Sequence, residues 1–199
     1  MSEFPESLKA GKVGEVEILK IILKDEPDAF IDDGTRPESV KRDKSDWDIW
    51  LPQKKYGIEV KNDYKSNYSP NYLIEVEMGG KLSALSVTKA KYWVFITGLL
   101  YIWITPLEIY RFLEQHFYFG RVPVTGEGDT TEKLAHLVFK DMFENHVKKL
   151  DKEYGWIETI NKKDVMYLDN FLKLDIDKYL EEHKMYLDEE FIKKYMNNL

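Results

Sequence analysis

Apolar residues in the first half of the chain follow two different spacings. Val16, Leu19 and Leu23 recur with the period of a helix, which predicts a helix from residue 13 to residue 23. The other apolar runs are short, rich in β-branched and aromatic residues and bounded by turn residues, which is typical of strands. The predicted strands cover residues 29–31, 46–51, 56–61, 72–76, 92–97 and 99–105. The second and third of these are predicted to form a hairpin, because a short polar turn separates them.

Helices dominate the prediction for the rest of the chain. Pro106 stands where a first helical turn tolerates proline, and Asp129 with Glu132 fits a capping box at the start of a longer helix. The predicted helices after the first one cover residues 83–91, 106–116, 130–150 and the charged segment 164–199. We therefore expect an α/β core over residues 1–128, with a mixed central sheet flanked by helices, and a helical C-terminal extension over residues 129–199 that packs on the core.

Composition narrows the class of protein. The chain has 199 residues, of which 43% are hydrophobic, and it contains no cysteine. These values fit one folded domain with an appendage, and they exclude a disulfide scaffold, a thiolate zinc site and a cysteine nucleophile. The sequence shows no secretory signal and no apolar run long enough to cross a membrane. We expect a cytoplasmic protein without a membrane partner.

The net charge of −7 argues against general binding to polyanions. Most of the excess acid, however, lies in residues 101–199, whereas residues 41–91 contain more Lys and Arg than Asp and Glu. A local nucleic-acid surface is therefore compatible with the acidic total.

Three charged residues in the predicted hairpin form a candidate functional site. Because side chains alternate along a strand, Glu59 and Lys61 share one face, and Ile58 and Val60 share the other. Asp48 projects from the preceding strand, so that pairing of the strands brings two carboxylates and an ammonium group to one sheet edge. Mg²⁺ prefers oxygen ligands and needs only one or two carboxylates. A lysine beside it positions a water molecule or stabilises charge on a phosphate.

The same alternation of Lys and Glu also occurs on exposed strands, where it serves only solubility. Asp48 favours the functional interpretation, because it is embedded among Trp47, Ile49 and Trp50, where an unpaired carboxylate is unfavourable.

Asp48 followed by Glu59-Val60-Lys61 resembles the PD-(D/E)XK nuclease superfamily, whose restriction-endonuclease-like core has the order αβββαβ. Gly14-Glu15 in the first helix looks like the helix-borne glutamate of that superfamily. Further blocks resemble its branch of phage and Holliday-junction-resolvase-like endonucleases, and they lie at residues 71–75, 80–85 and 88–93. The resemblance covers about residues 11–105. Trp47 stands where proline often precedes the aspartate, which leaves Asp46 open as an alternative to Asp48.

The resemblance implies a metal-dependent DNA endonuclease that hydrolyses phosphodiester bonds, with a preference for junctions or branched DNA. Asp48 and Glu59 would bind Mg²⁺ or Mn²⁺ together with the carbonyl of Val60. Lys61 would orient the attacking water or stabilise the phosphate, and Glu15 would be a supporting carboxylate. The accessory candidates are Glu75, for the same site, and Lys89, for a phosphate. The resemblance further implies DNA as the partner, a homodimer, and the host cytoplasm if a phage encodes the chain.

A second class of function is also consistent with the sequence. A nuclease-like fold without catalytic activity would bind nucleic acid or a protein partner, with the amphipathic helices predicted in residues 164–199 as the docking element. Calorimetry with Mg²⁺ or Mn²⁺ separates the two hypotheses, because the absence of metal binding would favour the binding module. Such a module has no need for aligned Asp, Glu and Lys side chains.

Overall fold

The computed structural model of the chain describes residues 6–34, 39–40, 46–62, 69–97, 100–116, 120–125, 131–154 and 159–161. Over these residues the protein is mixed α/β, with three helices and two β-sheets. The helices are α1 (Glu6–Ile22), α2 (Pro106–Gln115) and α3 (Lys140–Tyr154). The strands are β1 (Phe30–Ile31), β2 (Ile49–Leu51), β3 (Tyr56–Lys61), β4 (Asn71–Met78), β5 (Lys81–Leu82), β6 (Tyr92–Ile96), β7 (Leu100–Ile104), β8 (Arg121–Val124), β9 (Lys133–Phe139) and β10 (Thr159–Asn161).

The first sheet has six strands in the order β1-β2-β3-β6-β7-β10. Strand β3 runs parallel to β6, and the other neighbours are antiparallel. The predicted mixed sheet is confirmed, and so is the predicted hairpin, in which Ile49 of β2 lies opposite Ile58 of β3. Helix α1 begins before the predicted start, and α2 begins at Pro106 as predicted, with the Thr105 side chain accepting a hydrogen bond from the Glu108 N–H.

The second sheet has the order β5-β4-β9-β8, with β4 and β5 from the connection between β3 and β6 and with β8 and β9 from the chain after α2. The helix predicted over residues 83–91 is wrong, because only Ala84–Ser86 form a short 3₁₀ turn. The following residues run extended beside β3, where the Lys91 N–H donates to the Gly57 carbonyl at 2.9 Å. This contact leads the chain directly into β6, parallel to β3.

The helix predicted over residues 130–150 is wrong in its first half. Residues 133–139 form β9, which pairs along almost the whole length of β4, and α3 begins only at Lys140. Ala135 and Val138 are fully buried, so that pairing and burial override the local helical signals. Asp129 lies outside the described residues, as do residues 162–199. The division of the chain at residue 128 therefore stays a prediction, although β9 belongs to the second sheet.

Two apolar layers enclose the first sheet. One face packs against α1 through Ile18 and Ile22, and the other packs against the second sheet, α2 and α3. The sheet residues on the α1 side include Ile49, Leu51, Ile58, Val60, Val94, Ile96 and Trp103. The opposite layer includes Trp47, Tyr72, Trp93, Phe95, Phe112, Val138 and Phe143. Residues Glu59 and Lys61 of β3 therefore project from the face that meets the second layer.

Trp47 lies flat against the backbone of β3. A Cβ atom placed on Gly57 would be 2.3 Å from Cγ of Trp47, a separation that real Cβ atoms do not adopt. The Trp50 ring lies beside it, with ring centroids 4.8 Å apart. This contact fixes the chain immediately before Asp48.

Gly57→Ala is expected to lower the free energy of unfolding by about 1–3 kcal/mol, because the added methyl group overpacks the contact with Trp47. Gly11→Ala is the matched control, since a Cβ atom there meets nothing within 4 Å and the residue lies within α1. The control is expected to raise the free energy of unfolding by about 0.5–1 kcal/mol. Urea denaturation of both variants measures the difference, and equal stability of the two would contradict the packing described here.

Candidate functional site

The Asp48 side chain forms a hydrogen bond with the backbone of β3. Its Oδ2 accepts a hydrogen bond from the Val60 N–H at 2.8 Å, and its own N–H donates to the Ile58 carbonyl at 2.9 Å. The N–H and C=O of one strand residue point to the same side of the strand. The Val60 carbonyl therefore faces the side of β3 on which the Asp48 carboxylate lies.

Glu59 and Lys61 form an ion pair on one face of β3, the face opposite to that of Val60. Their Oε1 and Nζ atoms are 2.6 Å apart, with 13% and 27% of the two side chains exposed. The Lys61 ammonium also lies 4.5 Å from the centroid of the Trp93 ring, a cation–π contact. Trp93 is fully buried and its Nε1 donates to Oγ1 of Thr88, so that the surface beneath the lysine is fixed.

The environment of Lys61 keeps it charged. Burial lowers the pKa of its ammonium, but the attraction and hydrogen bond of Glu59, with the further attraction of Asp48 and Glu75, raise this pKa above its usual value. In the structure without a cation, these partners therefore favour the charged form of Lys61, in which its ammonium donates hydrogen bonds.

Helix α1 approaches this edge through a glycine. A Cβ atom on Gly14 would lie 2.6 Å from Cβ of Asn62 and 2.9 Å from Cδ1 of Ile96. The helix therefore crosses directly over the ends of β3 and β6. The neighbouring Glu15 is 8% exposed, which places a buried carboxylate beside the end of β3.

Lys12 pairs with Glu15 across one helical turn, with Nζ and Oε2 2.8 Å apart. Partial burial lowers the pKa of Lys12, whereas Glu15, Asp48 and Asp33 raise it, and the net change is upward. Asp48 thus attracts both Lys12 and Lys61. The sequence did not single out Lys12 or Asp33, and no motif marks them.

The two accessory candidates have partners of their own. Glu75 accepts a hydrogen bond from the Ser83 hydroxyl at 2.6 Å and lies 3.6 Å from the Lys133 ammonium. Lys89 lies 2.7 Å from the carboxylate of Asp46, whose side chain is buried. Asp46 and Asp48 therefore face different partners, and it is Asp48 that lies against β3.

Asp32 is a buried carboxylate that the sequence analysis missed. It accepts hydrogen bonds from the backbone N–H groups of Gly34 and Val40, at 3.3 and 3.2 Å, from Nε1 of Trp47 at 3.2 Å, and from the hydroxyl of Ser39. Its own N–H donates to the Asp48 carbonyl at 2.9 Å. An aspartate two residues before a glycine is a turn signal, and it was the one available indication of this role.

Carboxylates outnumber ammonium groups at this edge. The described side chains linked by these ion pairs or by Coulomb attraction are Glu15, Asp33, Asp48, Glu59, Glu75, Lys12, Lys61 and Lys133. Among them are five carboxylates and three ammonium groups, a surplus of negative charge that suits a divalent cation.

The donor set fits a hard cation such as Mg²⁺ or Mn²⁺. The described ranges contain no group of three or more His, Cys, Asp or Glu side chains arranged to hold a metal ion. Mg²⁺ requires fewer, since it retains several water molecules and is commonly held by one or two carboxylates. Asp48, Glu59 and the Val60 carbonyl supply oxygen donors of the kind that it prefers.

Comparisons with protein-family models, with curated proteins and with solved structures find no match to this chain. None of the helices in the described segments has the length and apolar character needed to cross a bilayer. The resemblance based on Asp48, Glu59 and Lys61 therefore rests on the sequence alone and stays a prediction.

Asp32→Ala is expected to lower the free energy of unfolding by about 2–3 kcal/mol, because it removes a buried acceptor from several donors. Asp28→Ala is the matched control, since Asp28 is exposed and its carboxylate accepts from the exposed side chain of Gln53. The control is expected to change stability by less than about 0.5 kcal/mol. Urea denaturation checks both values, and a loss in Asp32→Ala no larger than in the control would contradict the role of Asp32.

Proposed function

We propose that this chain is a metal-dependent endonuclease that hydrolyses phosphodiester bonds in DNA, with a preference for junctions or branched substrates. The observation that carries the proposal is the position of Asp48, Glu59 and Lys61 together at the end of one hairpin. Asp48 is held against β3 by its bond to the Val60 N–H, and it attracts the Lys61 ammonium that Glu59 binds directly. DNA as the partner, a homodimer and a cytoplasmic location belong to the same proposal.

The element order supports the proposal only in part, because the described residues between β3 and β6 include no α-helix. In this interpretation α1, β1, β2, β3 and β6 are the restriction-endonuclease-like core, with β6 parallel to β3 as the last strand. The hairpin of β4 and β5, with its 3₁₀ turn, stands where the αβββαβ order has its second helix. Gly14 of α1 lies over the ends of β3 and β6, and in this proposal the neighbouring Glu15 is the carboxylate that the helix contributes.

Asp48, Glu59 and the Val60 carbonyl are the groups that would hold Mg²⁺ or Mn²⁺. When bound, the cation supplies Lewis acidity toward the phosphate and a water molecule of lowered pKa. Lys61 remains charged and is restrained by Glu59 and the Trp93 ring, so that it donates to a phosphate oxygen or to the attacking water from a defined position. Glu15 adds a further buried carboxylate beside them.

The test is cleavage of a panel of four-way junction, flap, duplex and single-stranded DNA in the presence of Mg²⁺. The variants Asp48→Asn, Glu59→Gln and Lys61→Met are each expected to reduce the rate by at least about 100-fold, because each removes a charge aimed at the reacting phosphate or its cation. Lys55→Met is the matched control, since Lys55 lies exposed in the turn of the same hairpin, and it is expected to retain activity.

Activity that survives in Lys61→Met and Glu59→Gln would contradict the assignment of these residues. DNA binding without cleavage of any substrate, combined with no uptake of Mg²⁺ or Mn²⁺ in calorimetry, would favour the inactive binding module instead.

A further inference from the structure

Lys12 and Lys61 differ in how firmly the protein holds them. Lys61 is 27% exposed, is bound by Glu59 and rests on the Trp93 ring. The Lys12 side chain is 64% exposed, although its ammonium lies 2.8 Å from Glu15. Lys12 is therefore anchored at its tip only, and it lies on the solvent side of the cluster.

Glu15 is much less exposed than Lys12, so its charge needs a partner of opposite sign more than the charge of Lys12 does. The Glu15 side chain is 11% exposed, and a carboxylate with so little contact with water needs a positive partner. Lys12 is that partner in the structure described here. The proposed site would place a divalent cation at Asp48, whose carboxylate attracts the Lys12 ammonium, so that the bound cation would repel Lys12. Metal binding and the pair of Lys12 with Glu15 are therefore in competition.

We propose that Lys12 exchanges partners: it neutralises Glu15 while the site is without metal, and it contacts a backbone phosphate of the nucleic acid once a divalent cation has replaced it. The inference rests on the proposed function. An ammonium group on a flexible four-carbon stem, exposed beside the scissile region, is suited to such a phosphate contact. The exchange keeps the buried carboxylate neutralised in both states.

An ordinary surface ion pair is the competing explanation. Pairs three residues apart on a helix stabilise it by only about 0.2–0.5 kcal/mol, and they have no connection with metal or substrate. On that explanation, removal of Lys12 changes neither metal affinity nor DNA binding beyond the general effect of one lost charge. A second lysine on the same helix measures that general effect. Lys20 is exposed and lies in the last turn of α1, so Lys20→Met is the matched control.

The experiment has two readouts that do not require cleavage. Calorimetric titration with Mn²⁺ alone is expected to show about two- to fivefold tighter binding by Lys12→Met than by the wild type, since displacement of the half-buried ion pair is no longer needed. Binding of a labelled four-way DNA junction is then measured in Ca²⁺ over a range of salt concentrations. For Lys12→Met the slope of log K against log salt is expected to be smaller in magnitude by about 0.9, the value for one phosphate contact on B-form DNA.

The control variants separate the outcomes. Lys20→Met is expected to match the wild type in both measurements, and Lys12→Arg is expected to retain the wild-type salt slope because it keeps the charge. If Lys12→Met behaves like Lys20→Met, the exchange is overturned. An unchanged salt slope overturns the phosphate contact even where Mn²⁺ binding tightens. A wild-type protein that binds neither Mn²⁺ nor the junction overturns the proposed function and this inference together, and that result is distinct from the failure of Lys12→Met alone.

Discussion

The hydrogen bond from the Val60 N–H to the Asp48 carboxylate is the contact on which the candidate site depends. Strand β2 begins at Ile49, opposite Ile58 and two residues short of Val60, so the Asp48 side chain rather than a β2 carbonyl accepts from this N–H. A carboxylate is thereby fixed at a sheet edge, beside strand residues that alternate apolar and charged. Asp32 helps to fix the position of Asp48, because the Asp32 N–H donates to the Asp48 carbonyl and the Asp32 carboxylate accepts from Nε1 of Trp47.

The two-layer packing explains why charged groups collect at this edge. The first sheet is apolar on both faces, as expected for a sheet covered on both sides. Glu59 and Lys61 interrupt that pattern on the face toward the second layer, and a buried charge is tolerated there only with a partner. Each has the other as its partner, while the Trp93 ring covers the lysine. The close approach of α1 at Gly14 adds Glu15 and Lys12 to the same edge.

Local patterning predicted most of the first sheet and its hairpin, because strand alternation and turn residues are properties of neighbouring positions. Local patterning predicted the wrong element where pairing with distant strands decides the structure. Residues 133–139 carry helical signals nearby yet form β9 against β4, and residues 83–91 form a short turn and an extended segment instead of a helix. The alignment of Asp48, Glu59 and Lys61 was accessible from period-two spacing. Asp32, Asp33 and Lys12 were not, because distant parts of the chain bring them to the site.

The most direct test of this account is the anomalous scattering of crystals grown with Mn²⁺. We expect an anomalous peak within bonding distance of the carboxylates of Asp48 and Glu59 and of the Val60 carbonyl, and the loss of that peak in crystals of Asp48→Asn. A peak bound elsewhere on the chain, or well-ordered crystals with no peak at this edge at saturating Mn²⁺, would contradict it.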